Sequence, residues 1–316
     1  MVINMNIDME RSKIASKIGI QYTPSIPQYN ILDKSEQDGY SRNLIDYEVP
    51  NGKITAYLLI PDCPSSNPAV LIHHQHNGER HFGKSEVCGL AGNPLQAFGP
   101  VLAQKGFVVL APDSICFEDR RKSAVSVNLL PNGDDFLQHY NEMCYQILLG
   151  ENLMKKVIED AMQGISLLSC LAYVDKSRIG TLGHSYGGNT VLFLAALDQR
   201  INFACASGSA CTYKNRMQHN VGIEMASVIP GFLQEYDIDD VVRCISPRNL
   251  LLVSADEDKY SKDANFIFHQ VSPLYARCHR EQALCHKRYS GGHSLTTERF
   301  EFIIDWIVKI SKIVFQ

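Results

Sequence analysis

The residues best suited to chemistry are five consecutive positions, Gly183-His184-Ser185-Tyr186-Gly187, which form the pattern G-x-S-x-G. Apolar residues precede this pattern and small, apolar residues follow it, which predicts a buried strand that turns sharply into a helix. The two glycines leave space beside the turn, and the start of the helix supplies free N–H groups and partial positive charge. The pattern therefore predicts that Ser185 projects from this turn as a nucleophile.

Ser185 needs a partner that removes its proton, because a serine hydroxyl is a weak nucleophile near neutral pH. Histidine is the residue that most often does this, and His219, His269, His279, His286 and His293 follow Ser185 in the chain. We favour His293 as the base, since it lies in a glycine-containing loop between a short strand and the last amphipathic helix.

The histidine in turn needs a carboxylate that orients its ring and stabilises its charged form. Three carboxylates, Asp256, Glu257 and Asp258, follow an apolar run at residues 250–253. Such a run is typical of a buried strand, so the acid is expected where the chain leaves that strand and turns back over the sheet.

Apolar runs that alternate with helical stretches are expected to position these residues. The segments between most of the runs show the 3.6-residue period of helices, most clearly at residues 152–172 and 297–315. This alternation predicts an α/β fold with a mostly parallel sheet and helices on both faces. The runs read as strands are residues 69–73, 107–111, 178–182, 203–206, 250–253 and 287–289.

An antiparallel hairpin is predicted ahead of these strands, at the edge of the sheet. Residues 44–49 and 54–60 flank Asn51-Gly52, a dipeptide that favours a tight turn. Residues 1–41 show no sustained periodicity and are interpreted as an N-terminal arm, followed by one α/β domain at residues 42–316.

Three segments interrupt the simple pattern. Pro100 lies inside the helical stretch 95–105, so it must kink that helix or mark its first turn. Segments near 114–150 and 208–248 are long connections, which in open α/β sheets lie over the carboxyl ends of the strands. We expect both connections to form walls of a substrate pocket.

Composition narrows the class of protein. The 316 residues carry a net charge of −4 with no long basic run, which disfavours nucleic acid and anionic membranes as partners. No apolar stretch has the length of a signal peptide or a membrane span. The 10 cysteines are scattered without a C-x-x-C pair, which is typical of reduced thiols. A cytoplasmic protein with a small-molecule substrate is expected.

Over residues 42–316 the sequence resembles the dienelactone hydrolase and acetyl-xylan-esterase branch of the α/β-hydrolase superfamily. The resemblance is carried by VD-x-x-RIG-x-x-GHSYGG at residues 174–188, GFVVLAPD at 106–113, SPRNLLLVSADED at 246–258 and GGHS at 291–294. Dienelactone hydrolases have a cysteine nucleophile, whereas position 185 is serine, so dienelactone is not the expected substrate.

The resemblance implies roles for further residues. His293 matches the family's base, and the family's small-x-x-Asp frame after the strand places the acid at Asp258, with Asp256 and Glu257 as alternatives. The oxyanion hole would use the backbone N–H of Tyr186, which follows the nucleophile, and a second N–H from the loop after residues 69–73. Alignment with the family places that second donor at His76, or else at Gln75.

Together these features predict a serine hydrolase that cleaves a carboxylic ester or lactone through an acyl-enzyme, without a cofactor. A thioesterase, acyltransferase or peptidase would use the same triad, and a non-catalytic binding protein on this fold is the rival from another class. No metal site is predicted, because His73, His74 and His76 lack further ligands in a recognised spacing. Arg120-Arg121 is a weaker candidate for binding a substrate carboxylate. Oligomeric state is left open.

Overall fold

The computed structural model describes residues 2–50, 52–122 and 133–312. Within these ranges nine strands form one sheet in the order β1-β2-β3-β5-β4-β6-β7-β8-β9. The strands are β1 (Tyr29–Gln37), β2 (Tyr40–Val49), β3 (Gly52–Pro61), β4 (Asn67–His73), β5 (Val108–Pro112), β6 (Val174–His184), β7 (Phe203–Ser207), β8 (Asn249–Ala255) and β9 (Leu284–Tyr289).

The direction of the strands divides the sheet into two parts. Strands β1, β2, β3 and β5 pair antiparallel in that order, whereas β5, β4, β6, β7, β8 and β9 pair parallel. The predicted fold class is therefore confirmed: a mostly parallel sheet carries an antiparallel hairpin region at one edge. Parallel strands end at the same edge of a sheet, so the loops that follow β4, β6, β7 and β8 meet there.

Helices cover both faces of the sheet. Side chains of α1, α5, α6, α8 and α9 pack on one face in a core that includes Leu71 and Leu110. Side chains of α3 and α10 pack on the other face, against Val70 and Val109. The helices are α1 (Val2–Ile18), α2 (Lys84–Val87), α3 (Phe98–Gln104), α4 (Asp135–Leu148), α5 (Leu153–Cys170), α6 (Tyr186–Leu197), α7 (Tyr213–Gln218), α8 (Ile238–Arg243), α9 (Ala264–Arg277) and α10 (Thr297–Ser311).

The N-terminal segment contains regular secondary structure, although its sequence shows no sustained periodicity. Residues 1–41 contribute the 17-residue helix α1 and the strand β1, which pairs with β2 at the edge of the sheet. Most side chains of β1 are exposed, so its sequence lacks the alternation by which a half-buried strand is recognised.

The backbone shows where the predicted hairpin turns and where Pro100 lies in its helix. In the β2–β3 hairpin Val49 lies opposite Gly52, so Gly52 already begins β3 and the connection is residues 50 and 51; Asn51 lies outside the described residues. Helix α3 begins at Phe98, which places Pro100 in its first turn, where a missing N–H removes no intrahelical bond.

The two long connections fold differently from one another. The segment 114–150 contains α4, while its residues 123–132 lie outside the described part of the chain. The segment 208–248 contains α7 and α8, and α8 begins with a capping box formed by Asp237 and Asp240.

Across the described residues no helix combines the length and apolar character that a membrane span requires.

Candidate active site

The turn from β6 into α6 holds Ser185 in a rarely populated conformation. Its φ is 56° and its ψ is −117°, which a non-glycine residue adopts only where the surrounding structure enforces it. The N–H of Ser185 donates a hydrogen bond of 2.8 Å to the carbonyl oxygen of Ser207, at the end of the neighbouring strand β7. This bond fixes the serine at the edge where the parallel strands end.

The glycines on either side of Ser185 allow the close approach of backbone that the turn requires. A Cβ atom at Gly183 would lie 2.3 Å from the carbonyl carbon of Gly187. A Cβ atom at Gly187 would lie 2.2 Å from the carbonyl oxygen of His73, at the end of β4. Only glycine fits at either position without displacement of backbone.

Three of the predicted site residues form a continuous hydrogen-bonded chain. The hydroxyl of Ser185 lies 2.8 Å from Nε2 of His293, and Nδ1 of His293 lies 3.0 Å from Oδ1 of Asp258. A carboxylate only accepts, so Nδ1 carries the proton and Nε2 is free to accept the serine proton. Ser185, His293 and Asp258 come from three separate places in the chain: the β6–α6 turn, the loop before α10 and the loop after β8.

Asp258 is surrounded by donors. Its Oδ1 also accepts from the N–H of Tyr260 at 2.9 Å, and its Oδ2 accepts from the hydroxyl of Ser261 at 2.6 Å. Burial by itself raises the pKa of Asp258, but the hydrogen bond and charge of His293, followed by the Ser261 and Tyr260 bonds, outweigh burial and lower it below its usual value. The carboxylate is thereby kept ionised.

The neighbouring carboxylate, Asp256, contacts backbone instead of the histidine ring. Its Oδ1 accepts a hydrogen bond of 2.8 Å from the N–H of Gly291. The N–H of Glu257 donates to the carbonyl oxygen of Gly291 at 3.1 Å. These bonds join the loop after β8 to the loop that carries His293.

Arg299 holds the His293 loop from the other side. It lies in the first turn of α10 and donates to the carbonyl oxygens of Ser290, Gly292 and Ser294 at 2.8–2.9 Å. One guanidinium group thus fixes the backbone before and after His293. No sequence pattern predicts this contact, because a single arginine at the start of a helix is not distinctive.

His184 packs beside the ring of His293. Its ring centroid lies 4.9 Å from that of His293, and its Nδ1 lies 3.0 Å from the hydroxyl of Ser207. Burial, and then the nearby His293, lower the pKa of His184 to about 3. His184 is therefore neutral when His293 gains a proton.

The two residues expected to act as oxyanion donors line the same cavity as Ser185. Tyr186 is the first residue of α6, and His76 belongs to the loop after β4. In the described part of the chain, no hydrogen bond from the backbone N–H of either residue is found. The alternative donor, Gln75, does not line this cavity, and its side chain donates to Glu86 instead.

Ser185 and His293 line a cavity of about 340 Å³. Phe136 of α4 and a run from Gly222 to Met225 contribute to its wall, so both long connections reach the site. Its lining also includes charged and polar side chains that the sequence analysis did not single out: Arg80, Asn189, Arg216, Glu224 and Tyr260.

A lysine occupies a compact acidic cluster among the described residues. Among the described residues, Asp113, Glu118 and Asp119 are the acidic cluster compact enough to hold an ion, but Nζ of Lys84 lies within 2.7 Å of an oxygen of each. The ammonium group already occupies the position that a metal would take.

Of the three histidines considered as metal ligands, His74 is held by hydrogen bonds, whereas Nε2 of His73 and of His76 has no hydrogen-bond partner among the described residues. Nδ1 of His74 lies 2.8 Å from the carbonyl oxygen of Gln75, and its Nε2 accepts from the N–H of Ser114 at 3.1 Å. Burial lowers the pKa of His73 to about 3 and that of His74 to about 4. His73 and His74 are therefore neutral near pH 7.

Arg120 and Arg121, the candidates for binding a carboxylate, pair within the protein. Arg120 donates to Asp160 at 2.9 Å, and Arg121 donates to Asp135 at 2.6 Å. Neither arginine lines the cavity at Ser185.

The chain is similar to known proteins in both sequence and structure. The prolyl oligopeptidase family matches residues 144–280, a range that includes Ser185 and Asp258. A protein of Bacillus subtilis (strain 168) named "Putative hydrolase YtaP" is 27% identical over 257 residues, which cover 76% of this chain and 79% of that protein.

Two solved structures share the architecture at low sequence identity. A "putative acetyl xylan esterase" from Bacteroides fragilis NCTC 9343 superposes with a TM-score of 0.72 and 17% identity, covering 91% of this chain and 75% of that one. A glucuronoyl esterase from Solibacter usitatus superposes with a TM-score of 0.68 and 14% identity, covering 95% and 92%. The sheet, the turn at Ser185 and these similarities show that the chain has the α/β-hydrolase fold.

Proposed function

We propose that the chain is a serine esterase that cleaves a carboxylic ester or lactone of a small molecule through an acyl-enzyme. The observation that carries this proposal is the chain of contacts from Ser185 to His293 to Asp258, at 2.8 Å and 3.0 Å, beside a cavity of about 340 Å³. A cavity of this size accommodates a small acyl or alcohol group. The names of the similar structures, which describe esterases, favour an ester over other acyl compounds.

The proposed reaction follows from which groups can give and take protons. Ser185 attacks the acyl carbonyl carbon while Nε2 of His293 takes the hydroxyl proton, and Asp258 stabilises the resulting imidazolium. His293 then returns the proton to the leaving alcohol. Water attacks the acyl-serine by the same route, with His293 again as base, and the carboxylic acid is released.

Negative charge on the carbonyl oxygen is proposed to be held by backbone N–H groups of Tyr186 and His76. Donors that are already oriented in the free protein stabilise this charge without a cost of reorganisation. The start of α6 adds partial positive charge at the same place. Since both contributions come from backbone, substitution of the His76 side chain does not test them.

The proposal is tested by replacing the nucleophile. Ser185→Ala should reduce turnover of p-nitrophenyl acetate on the order of 10⁴-fold or more, because the members of a triad act as a unit. A fluorophosphonate probe should label the natural chain at Ser185 and fail to label the variant. Ser16→Ala, at an exposed position on α1, is the matched control and should label normally. A Ser185→Ala protein that is folded and still hydrolyses the ester at a similar rate contradicts the proposal.

A peptidase is the second candidate, because the matching family is that of prolyl oligopeptidase. The same triad would attack an amide, whose leaving nitrogen needs protonation by His293. Comparison of kcat/KM for p-nitrophenyl acetate and for a proline p-nitroanilide decides between them. A higher value for the anilide would replace the esterase proposal by a peptidase one.

A further inference from the structure

Arg80 is a buried cation in the wall of the proposed active site. It lies in the connection between β4 and α2, only 3% of its surface is exposed, and it lines the same cavity as Ser185 and His293. None of the catalytic steps described above uses it.

The neighbours of Arg80 hold its guanidinium group in a fixed orientation. Its Nε donates to Nδ1 of His139 on α4 at 3.2 Å, and its guanidinium carbon lies 5.0 Å from the ring centroid of Phe136 and 6.0 Å from that of Phe117. Burial, and then the charge of Arg80, lower the pKa of His139 to about 3. The histidine is therefore a neutral acceptor that orients Arg80 without pairing its charge.

The terminal nitrogens of Arg80 have no carboxylate partner. Within residues 2–50, 52–122 and 133–312, no acidic oxygen lies within 4.0 Å of the guanidinium, and the remaining segments contain no aspartate or glutamate. Lys84 pairs with three carboxylates, whereas Arg216, in the same cavity, and Arg299 donate to backbone carbonyl oxygens. Among the described residues, the terminal nitrogens of Arg80 have neither kind of partner. An unpaired buried charge is costly, so it persists where a ligand compensates it.

Glu224 faces the same cavity but is engaged by its own segment. Its carboxylate accepts from the N–H of Met225 at 3.2 Å and lies 3.9 Å from Nδ1 of His76. Among the groups that act on the charge of Arg80, Glu224 gives the largest attraction, although burial outweighs it and lowers the pKa of the arginine. The cavity thus separates a cation from an anion and leaves the donors of Arg80 available.

We propose that Arg80 binds a carboxylate on the substrate, so that the enzyme prefers esters whose acyl or alcohol part carries a negative charge. This inference rests on the proposed esterase function and names its substrate class. Guanidinium groups suit this role, because their planar fork donates two parallel hydrogen bonds to one carboxylate. Contact with Phe136 and Phe117 reduces the freedom that binding would otherwise remove.

The test compares a charged ester with a neutral one in two pairs, of which the first shares the leaving group and the second shares the acyl group. Mono-4-nitrophenyl succinate carries a carboxylate on its acyl part, and p-nitrophenyl acetate does not; 4-acetoxybenzoate and phenyl acetate form the matching pair for the alcohol part. In Arg80→Gln, the ratio of kcat/KM for the charged over the neutral ester should fall on the order of 10- to 100-fold in at least one pair. Arg80→Lys keeps the charge and should retain part of the preference for the charged ester. It replaces Arg80→Gln in the test if the glutamine variant does not fold.

Arg121→Gln is the matched control, because it also removes a buried arginine beside α4 but one that pairs with Asp135. Its ratio should equal that of the natural chain. A fall of the same size in Arg121→Gln, or no fall in Arg80→Gln for either pair of esters, overturns the proposal.

A binding measurement separates this inference from the esterase function. In Ser185→Ala, calorimetry should detect succinate binding that is lost in Ser185→Ala/Arg80→Gln, while uncharged succinamide binds neither protein. If no ester is hydrolysed but succinate binds through Arg80, the anion site stands and the esterase proposal fails. If neutral esters are hydrolysed and succinate binding does not depend on Arg80, the anion site fails and the esterase stands.

Discussion

Two aspartates on one loop, Asp256 and Asp258, have different partners although a single residue separates them. Asp258 is 2% exposed and accepts from His293, Tyr260 and Ser261, so its charge acts on the imidazole ring. Asp256 accepts from the N–H of Gly291 and fixes a loop. Our proposal that Asp258 is the acid of the triad depends on this difference.

Substitution of the two aspartates separates their roles. Asp258→Asn keeps the size of the side chain but removes the charge that stabilises the imidazolium, so kcat should fall about 10²–10⁴-fold. Asp256→Asn retains an oxygen that can accept from Gly291, and kcat should fall by only a few-fold. Steady-state kinetics on one ester, with circular dichroism to check folding, measures both. If kcat falls strongly in Asp256→Asn and stays nearly normal in Asp258→Asn, the acid is Asp256 instead of Asp258.

Sequence reasoning reaches only some of these residues. Ser185 and His293 lie in short local patterns, and the structure brings them within 2.8 Å. Arg80 has no such pattern: its burial depends on His139 and Phe136, which lie more than fifty positions further along the chain. An arginine in a loop is ordinarily exposed, and only the packing of α4 over that loop makes this one a candidate binding residue.

At the scale of elements, the site depends on how closely the end of β4 approaches the start of α6. Gly187 is the contact point, since a Cβ there would meet the carbonyl oxygens of His73 and His74 at 2.2 Å and 2.8 Å. The loop after β4 carries His76, one of the two proposed oxyanion donors. The spacing of these two elements therefore sets the distance between the two proposed donors.

Gly187→Ala should separate the two elements. The methyl group would meet backbone, which cannot yield as a flexible side chain does, so the loop after β4 must move. We expect a loss of about 1–3 kcal/mol in the free energy of unfolding and a fall in kcat on the order of 10²-fold. Urea denaturation and ester kinetics measure the two effects. Gly133→Ala, where no atom lies within 4 Å of the added Cβ, is the control; equal behaviour of the two variants would refute this account.

The elements that the sequence predicted are those with a buried pattern. Strands β5, β7 and β8 are buried at every position and appear in the sequence as apolar runs. Strand β1 is mostly exposed on both faces, so no periodicity distinguishes it from a loop. The sheet edge was thus predictable only as far as β2 and β3, whose inward side chains alternate.

At the scale of the whole molecule, α1 joins parts of the chain that are distant in sequence. Ile14 and Ile18 are buried in the core on the α5 and α6 side of the sheet. Arg11 donates to the carbonyl oxygens of Ala196, near the end of α6, and Cys244, directly after α8, at 2.8 Å and 3.0 Å. Carbonyl groups at helix ends lack intrahelical partners, so Arg11 satisfies acceptors that would otherwise be unpaired. We therefore propose that residues 1–41 stabilise the domain at 42–316.

This proposal predicts a large stability effect from one side chain remote from the active site. Ile14→Ala removes buried methyl and methylene groups and should lower the free energy of unfolding by about 2–5 kcal/mol. Lys13→Ala, at an exposed position of the same helix, should change it by less than about 0.5 kcal/mol. Urea denaturation of both variants measures the difference. Equal stabilities, together with an unchanged melting temperature after removal of residues 1–20, would show that the domain is stable without α1.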